Sequence, residues 1–239
     1  VKKLKLTQES CGLSLWNTYN HLGLRNAKHI ARHCNTQTTY YLYDADRQPL
    51  AELNAQGRLT RQYVYVANLP LAVTDTPNGQ SLLAADAGAI QQTLTALQDL
   101  VTVVQSWFNA EAGMGQLVWL HTNHLGAPEA ATNIQSQLVW QARYEAFGAA
   151  KVNEGVPASE QKFTLNLRLP GQYFDAETGL HYNRQRYYDP QAGQYLSADP
   201  LGHPDGLNPY AYVRFNPMGY VDPDGLVLFA FDGTGNDES

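Results

Sequence analysis

The stretch Tyr188-Asp189-Pro190-Gln191-Ala192-Gly193 combines an aromatic residue, an aspartate and a glycine. In such a stretch the aromatic residue ends a strand, and the aspartate starts a turn by bonding the backbone two residues further on. The glycine supplies the positive φ that a tight turn needs, and the chain then returns as the next strand. The stretch therefore predicts a β-hairpin.

Related stretches recur along most of the chain. They are Tyr19-Asn20-His21-Leu22-Gly23, Tyr43-Asp44, Tyr144-Glu145-Ala146-Phe147-Gly148, Phe174-Asp175-Ala176-Glu177-Thr178-Gly179 and the divergent His121-Thr122-Asn123-His124-Leu125-Gly126. Alternation of polar and apolar residues in Gln62-Tyr63-Val64-Tyr65-Val66 and Gln137-Leu138-Val139-Trp140 indicates half-buried strands. Two strand pairs are expected within residues 40–72 and a loop over residues 150–162. The sequence predicts a mainly β fold, an antiparallel sheet of hairpin repeats.

Residues 83–108 break this pattern, because they contain no proline and only one glycine. Their apolar residues follow helical spacing, at Leu83, Ala87, Ile90, Leu94, Leu97, Val101, Val104 and Phe108. We expect one amphipathic helix here, inside an insert over residues 80–112. The helix could pack against the sheet or could dock a chaperone or an enclosed cargo, and the spacing alone leaves both open.

Composition and charge argue against several functional classes. The net charge of −6 disfavours nucleic-acid binding through phosphate neutralisation. We find no signal peptide and no run of about 18 apolar residues that would span a membrane. Cys11 and Cys34 form no CxxC pair and are expected to be reduced thiols. No metal or cofactor site is predicted, and the opening at Val1 suggests a fragment or an unusual start codon.

Several motifs follow one another in a fixed order toward the C-terminal end. They include Arg186-Tyr187-Tyr188-Asp189-Pro190, Asn208-Pro209-Tyr210-Ala211-Tyr212 and Asp222-Pro223-Asp224-Gly225-Leu226, preceded by stretches at residues 119–128 and 169–183. With these motifs the chain resembles the Rhs (rearrangement hotspot, YD-repeat) polymorphic toxins in their C-terminal Rhs-repeat-associated core. The resemblance divides the chain into a weakly matched repeat-like segment, the core and the start of a toxin domain, at residues 1–36, 37–226 and 227–239.

The resemblance implies both a fold and a task. Similar proteins wind a β-sheet spiral into a hollow shell that encloses a C-terminal toxin, and the core closes the end of that shell. They act in interbacterial competition and leave the bacterial cytoplasm on type VI or contact-dependent machinery, without a cleaved signal peptide. The implied partners are the chain's own toxin segment, the rest of the shell, a secretion spike or chaperone, and an immunity protein.

The resemblance also implies self-cleavage, which the family marks with two Asp-Pro-x-Gly elements, the second followed by leucine. Here the elements are Asp199-Pro200-Leu201-Gly202 and Asp222-Pro223-Asp224-Gly225-Leu226, so the implied scissile bond joins Leu226 to Val227. Two neighbouring carboxyls cannot both ionise cheaply, so one can activate a water while the other donates a proton. The chain would be at most an intramolecular aspartyl protease. Asp-Pro is also an ordinary turn starter, so Asp199 and Asp222 could be purely structural.

Other polar residues near the two elements compete for the same roles. Asp205 and Asp224 are rival carboxylates for the proposed pair. His203 and Arg214 lie close enough in sequence to tune the ionisation of the pair. The sequence alone does not establish the distances among these groups.

The residues after the implied cut change in character. Val227-Leu228-Phe229-Ala230-Phe231 is a continuous apolar run, which is typical of a strand buried on both faces. With Asp232, Gly233, Thr234 and Gly235 after it, the run resembles the opening of the α/β-hydrolase-like phospholipase effectors of type VI secretion. The chain contains no Gly-x-Ser-x-Gly elbow, so we expect that it cannot hydrolyse lipid.

Three functions from different classes fit these observations. The preferred one is a part of a toxin-delivery shell that cuts its own backbone after Leu226. The second is a truncated, purely structural remnant of such a shell. The third is a carbohydrate- or surface-binding module, because tyrosine-rich β surfaces can stack on sugars.

Overall fold

Antiparallel strands joined by short turns dominate the computed structural model, which describes residues 13–32, 35–76, 117–154, 162–202, 206–227 and 229–230. The chain divides into two units, residues 1–118 and 119–239. The predicted class, a mainly β fold of antiparallel hairpins, is confirmed. The predicted helix and its insert lie outside the described residues. No helix among the described residues could cross a membrane.

The first unit contains six strands, each antiparallel to the next in chain order. They are β1 (Leu13–Tyr19), β2 (Arg25–Arg32), β3 (Asn35–Tyr43), β4 (Pro49–Leu53), β5 (Leu59–Val66) and β6 (Leu69–Asp75). Strands β3 to β6 are the two pairs expected within residues 40–72. The domain boundary expected after residue 36 falls inside β3, whose residues 35–40 pair with β2. Hydrogen bonding therefore continues across that expected boundary.

The second unit begins within β7 and contains three groups of strands. The first group is β7 (Leu117–Thr122), β8 (Pro128–Asn133), β9 (Leu138–Tyr144) and β10 (Ala150–Asn153). The second is β11 (Tyr173–Asp175), β12 (Leu180–Asn183), β13 (Arg186–Asp189) and β14 (Gln194–Tyr195). The third is β15 (Tyr220–Val221) with β16 (Phe229–Ala230), and a 3-10 turn spans Val213–Phe215.

The loop expected over residues 150–162 is wrong at its start. Residues 150–153 form β10, which pairs with residues 141–144 of β9. The polar residues of this stretch suggested a loop, but the β9 backbone offers partners for its N–H and C=O groups. Tertiary pairing therefore outweighs local composition here.

The six hairpin stretches recognised in the sequence all connect consecutive strands. Asn20 accepts a 3.0 Å hydrogen bond from the N–H of Leu22, and Asp189 accepts one of 2.9 Å from the N–H of Gln191. Five of the turns contain a glycine with positive φ, at Gly23, Gly126, Gly148, Gly179 and Gly193. Each of these turns is thus closed by its own residues.

A buried aromatic cluster forms the core of the second unit. The rings of Tyr188, Tyr195 and Tyr212 lie 4.7 to 5.9 Å apart, centroid to centroid. Leu125, Ala127, Leu169, Val213 and Val221 complete this core. Because Tyr188 lies on β13, Tyr195 on β14 and Tyr212 before the 3-10 turn, the cluster fixes these three segments against one another.

Gly171 brings the bend before β11 against the segment that follows β15. Its φ is +79°, a left-handed conformation, and a Cβ there would lie 1.9 Å from the carbonyl oxygen of Pro223. Gly179 has a similar φ of +74° but no atom within 4 Å of such a Cβ. A substitution at Gly179 thus tests the cost of the left-handed backbone alone, and one at Gly171 tests that cost together with the clash against Pro223.

We expect Gly171→Ala to destabilise the fold more than Gly179→Ala. The left-handed backbone alone costs alanine about 1–2 kcal/mol, and the clash with Pro223 raises the total at Gly171 to about 3 kcal/mol or more. Urea unfolding followed by tryptophan fluorescence measures both free energies of unfolding. Equal losses in the two variants would contradict the close packing of Gly171 on Pro223.

Candidate active site

Arg186, at the start of β13, lies between the two aspartates that the sequence singles out. Its Nη2 is 2.9 Å from Oδ2 of Asp199 and 3.4 Å from Oδ2 of Asp222. The side chains of Asp199 and Asp222 are only 5% and 2% exposed. Since both carboxylates contact one nitrogen atom, the structure brings them together as near neighbours in a buried site.

The remaining contacts of Arg186 use the rest of its guanidinium. Nε donates to the carbonyl oxygen of Gly225, and Nη1 donates to that of Pro209 at 3.1 Å. The face of the guanidinium lies 3.6 Å from the centroid of the Tyr195 ring, a cation–π contact. Arg186 therefore links β13, β14, the Pro209 segment and the segment after β15.

Asp222 is buried directly after β15, and both of its oxygens accept hydrogen bonds. Oδ1 accepts the N–H of Leu226 at 2.9 Å, and Oδ2 accepts the hydroxyl of Tyr195 at 2.7 Å. Burial raises the pKa of Asp222, while the hydrogen bond from Tyr195, the N–H of Leu226 and the charge of Arg186 oppose that rise. The net effect is a carboxyl that holds its proton more readily than an exposed aspartate does.

Asp199 belongs to the loop after β14 and is anchored by its own turn. Its Oδ1 accepts the N–H of Leu201 at 2.8 Å, while its N–H donates to the carbonyl of Pro209 at 3.0 Å. One carboxylate oxygen thus closes the turn and the other faces Arg186. Asp199 and Asp222 therefore occupy different environments.

The peptide bond between Gly225 and Leu226 is held on both sides. Its carbonyl accepts from Arg186, and its N–H donates to Asp222. Gly225 has a φ of +70°, and a Cβ there would lie 2.4 Å from the carbonyl oxygen of Asn183. The predicted scissile bond, from Leu226 to Val227, is the next peptide along, at the point where exposure begins.

Two of the four rival groups named from the sequence, Asp224 and Arg214, lie in the described part of the chain. Asp224 forms an ion pair with Arg184. Arg214 is exposed in the turn Val213–Phe215 and has a positive φ of 53°. His203 and Asp205 lie outside the described residues, so a tuning role for His203 stays a prediction.

The sequence predicts a strand buried on both faces directly after the predicted scissile bond, but the described side chains of this apolar run are exposed. Val227 is 38% exposed and Phe229 is 51% exposed. Within the described part of the chain, β16 pairs with β15. Asp232, Gly233, Thr234 and Gly235 lie outside the described residues, and their likeness to a hydrolase motif stays a prediction.

Sequence reasoning missed Arg186, which contacts both aspartates, and Tyr195, which donates a hydrogen bond to Asp222. Arg186 begins one of the motifs that support the family resemblance, but no role was assigned to it or to Tyr195. An arginine at a strand start usually points to solvent, and its burial could not be inferred from spacing. Among the described residues, no group of three or more His, Cys, Asp or Glu side chains could hold a metal ion.

Comparison with known proteins assigns this chain to a family. The family model described as RHS protein matches residues 117–154. The chain is 33% identical over 214 residues to toxin protein Tse5 of Pseudomonas aeruginosa, covering 88% of this chain and 15% of Tse5. The chain belongs to the Rhs family. This Rhs chain is also 43% identical over 107 residues to double-stranded DNA deaminase toxin A of Burkholderia cenocepacia, covering 44% of the chain and 7% of that toxin.

Solved structures agree on the fold of this Rhs chain. The crystal structure of TcdB2-TccC3 matches it with a TM-score of 0.62 and 24% identity, over 94% of the chain and 10% of that protein. The Rhs chain spans 15% of Tse5 and 7% of the deaminase toxin, so it corresponds to a small part of each.

We expect Arg186→Ala to destabilise the Rhs chain far more than Arg184→Ala. Loss of Arg186 leaves two buried carboxylates without a cation, which costs about 3–5 kcal/mol, whereas loss of Arg184 leaves one carboxylate, Asp224, which is one-third exposed and can be solvated by water. The carboxylates can relieve the defect by taking up protons, so the loss should be larger at neutral than at mildly acidic pH. Urea unfolding at the two pH values checks this, and a loss independent of pH would contradict it.

Proposed function

We propose that this Rhs chain closes the C-terminal end of a toxin shell and cuts its own backbone after Leu226. The observation that carries the proposal is the buried contact of Arg186 with both Asp199 and Asp222 and with the Gly225 carbonyl. One cation thereby gathers two carboxyls beside the residues that precede the bond. Such an arrangement supplies an acid and a base in one site.

In the proposed reaction Asp199 is the base and Asp222 is the acid. Asp199 takes a proton from a water molecule, whose oxygen bonds to the carbonyl carbon of Leu226. The bond from this carbon to the nitrogen of Val227 breaks, and Asp222 delivers its proton to that nitrogen. The products are a carboxyl group on Leu226 and an amino group on Val227. The raised pKa of Asp222, caused by burial, supports its role as the protonated partner.

In this reaction Arg186 would hold the two carboxyls and the backbone before the scissile bond in fixed positions. It holds both carboxyls and the Gly225 carbonyl, so the chain upstream of the bond is fixed before any chemistry begins. A reacting group that is already oriented avoids much of the entropy cost of reaching the transition state. The peptide bond between Gly225 and Leu226 is held in place, and the proposed scissile bond, between Leu226 and Val227, is the next one in the chain.

The wider task that we infer is delivery of a toxin in competition between bacteria. Relatives of this chain are named as toxins, which supports the inference. The partners would be the remaining shell, the chain's own toxin segment, a secretion spike or chaperone and an immunity protein. Export by type VI or contact-dependent machinery, without a cleaved signal peptide, would follow from the same relationship. We infer a phospholipase-like toxin domain after residue 226 from the motif at residues 232–235.

A purely structural role for the site is the second candidate. Both oxygens of Asp222 already accept hydrogen bonds, as in a network that only fastens the segment after β15 to the core. A carbohydrate-binding role has less support, because Tyr188, Tyr195 and Tyr212 are buried and their rings cannot stack on a sugar. Self-cleavage separates the first two candidates.

We expect the chain to yield two fragments, residues 1–226 and 227–239, when it is synthesised in a cell-free reaction and its intact mass is measured. Asp199→Asn and Asp222→Asn should each leave the chain uncut, since an amide can act neither as the base nor as the acid. Asp224→Asn is the matched control, because its partner is Arg184, and it should be cut as fast as the parent chain. If the parent chain stays intact, the self-cleavage proposal is wrong and the purely structural role is supported.

We also expect the cleavage rate to fall as the pH rises through the raised pKa of Asp222. The acid must be protonated to act, and burial extends its protonated range toward higher pH. The measurement is the rate at which the intact mass disappears at a series of pH values. A rate that increases steadily with pH would show that Asp222 does not act as the acid.

A further inference from the structure

The orientation of the buried side-chain amide of Asn183 determines which groups donate and which accept in the hydrogen bonds around Asp222. The side chain of Asn183, at the end of β12, is fully buried, and its Nδ2 lies 2.9 Å from the backbone carbonyl oxygen of Asp222. A backbone carbonyl only accepts, so the atom that faces it must be the amide nitrogen. The same nitrogen lies 2.8 Å from the hydroxyl oxygen of Tyr195. Tyr195 therefore accepts a hydrogen bond from Asn183.

It follows that the hydroxyl proton of Tyr195 is available for another acceptor. That acceptor is Oδ2 of Asp222, 2.7 Å away. A hydroxyl that donates to a carboxylate stabilises the ionised form, and a hydroxyl that already accepts a hydrogen bond is a stronger donor. The chain from Asn183 through Tyr195 to Asp222 thus runs in one direction only.

The ring of Tyr195 also contacts the other half of the site. The guanidinium of Arg186 lies 3.6 Å from the ring centroid, and Arg186 is the group that holds Asp199. On β14, Tyr195 pairs directly with Tyr188 of β13, so its backbone position is fixed by the sheet. One side chain therefore touches the acid by its hydroxyl and the cation by its ring.

We propose that Tyr195 is a positioning residue that orients the carboxyl of Asp222 and sets the pH range of the self-cleavage, with Asn183 holding the tyrosine hydroxyl in the donating direction. The inference rests on the function proposed above, since it assigns a control to the same site. Tyr195 does not touch the bond that is cut. It acts through Asp222 and Arg186.

Several charged or titratable groups face Asp222, and Tyr195 must be separated from them. Nη2 of Arg186, on β13, lies 3.4 Å from Oδ2 of Asp222, and the same nitrogen atom contacts Asp199. Tyr212, before the 3-10 turn, also interacts electrostatically with Asp222. A change confined to the Tyr195 hydroxyl leaves these groups in place.

Tyr195→Phe makes that change, because phenylalanine keeps the ring and loses only the hydroxyl. Without its donor, the ionised form of Asp222 is less stable, so the acid stays protonated to higher pH. We expect the alkaline limb of the cleavage profile to shift to higher pH. The variant should still be cut, at a lower maximal rate because Asp222 is less firmly oriented.

Tyr188→Phe is the matched control for the loss of a buried tyrosine hydroxyl. The hydroxyl of Tyr188 donates to the carbonyl of Phe147 at 2.7 Å, and its ring lies 5.5 Å from that of Tyr195. This variant loses a comparable hydrogen bond in the same cluster, so its profile should keep the parent's pH limb. A Tyr195→Phe profile that coincides with the parent profile, or a Tyr188→Phe profile shifted equally, would overturn the inference.

A titration keeps the inference independent of cleavage. The carboxyl carbon of Asp222, assigned by its loss in Asp222→Asn, is followed by NMR against pH in the full chain and in Tyr195→Phe. The titration midpoint should rise in the variant, and an unchanged midpoint would refute the role of Tyr195. If the parent chain is never cut, the proposed function fails, while this titration still decides whether Tyr195 governs Asp222.

Discussion

The buried guanidinium of Arg186 is the interaction on which the second unit of this protein depends. It bonds two carboxylates and two backbone carbonyls and lies on the face of Tyr195, so it joins segments that are far apart in sequence. A buried charge is costly unless it is paired and fully hydrogen-bonded. Here the hydrogen bonds and the aromatic face replace water around the cation. The same contacts that offset its desolvation also assemble the site.

The aromatic cluster and the polar network support each other. The ring of Tyr195 covers one face of the Arg186 guanidinium. Its packing with Tyr188 and Tyr212 holds β13, β14 and the segment before the 3-10 turn together. Two of the three hydroxyls donate hydrogen bonds, that of Tyr195 to Asp222 and that of Tyr188 to the carbonyl of Phe147. Tyrosine suits these positions because it combines a large apolar ring with one hydrogen-bonding group. The excess of tyrosine over phenylalanine, 15 to 7, thus has a structural reason.

Much of the fold could be predicted because its signals are local. A turn such as residues 188–193 needs only its own aspartate and glycine, so reading six residues is enough to place it. The strand β10 was missed because its pairing with β9, rather than its own composition, defines it. The two aspartates were found by their motifs. Arg186 and Tyr195 were not, because their importance lies in contacts with residues 13 to 39 positions away, which no local pattern records.

The turns of this protein have a consequence for how such chains lengthen. Asn20 and Asp189 each close their loop through neighbouring backbone, with a left-handed glycine completing it. Since the side chain that closes each loop belongs to the loop itself, a duplicated hairpin would carry its own closing hydrogen bonds. Extra copies would extend a sheet strand by strand while the existing turns kept their shape. Gene duplication alone would then enlarge the shell that we propose, without any change to an existing turn.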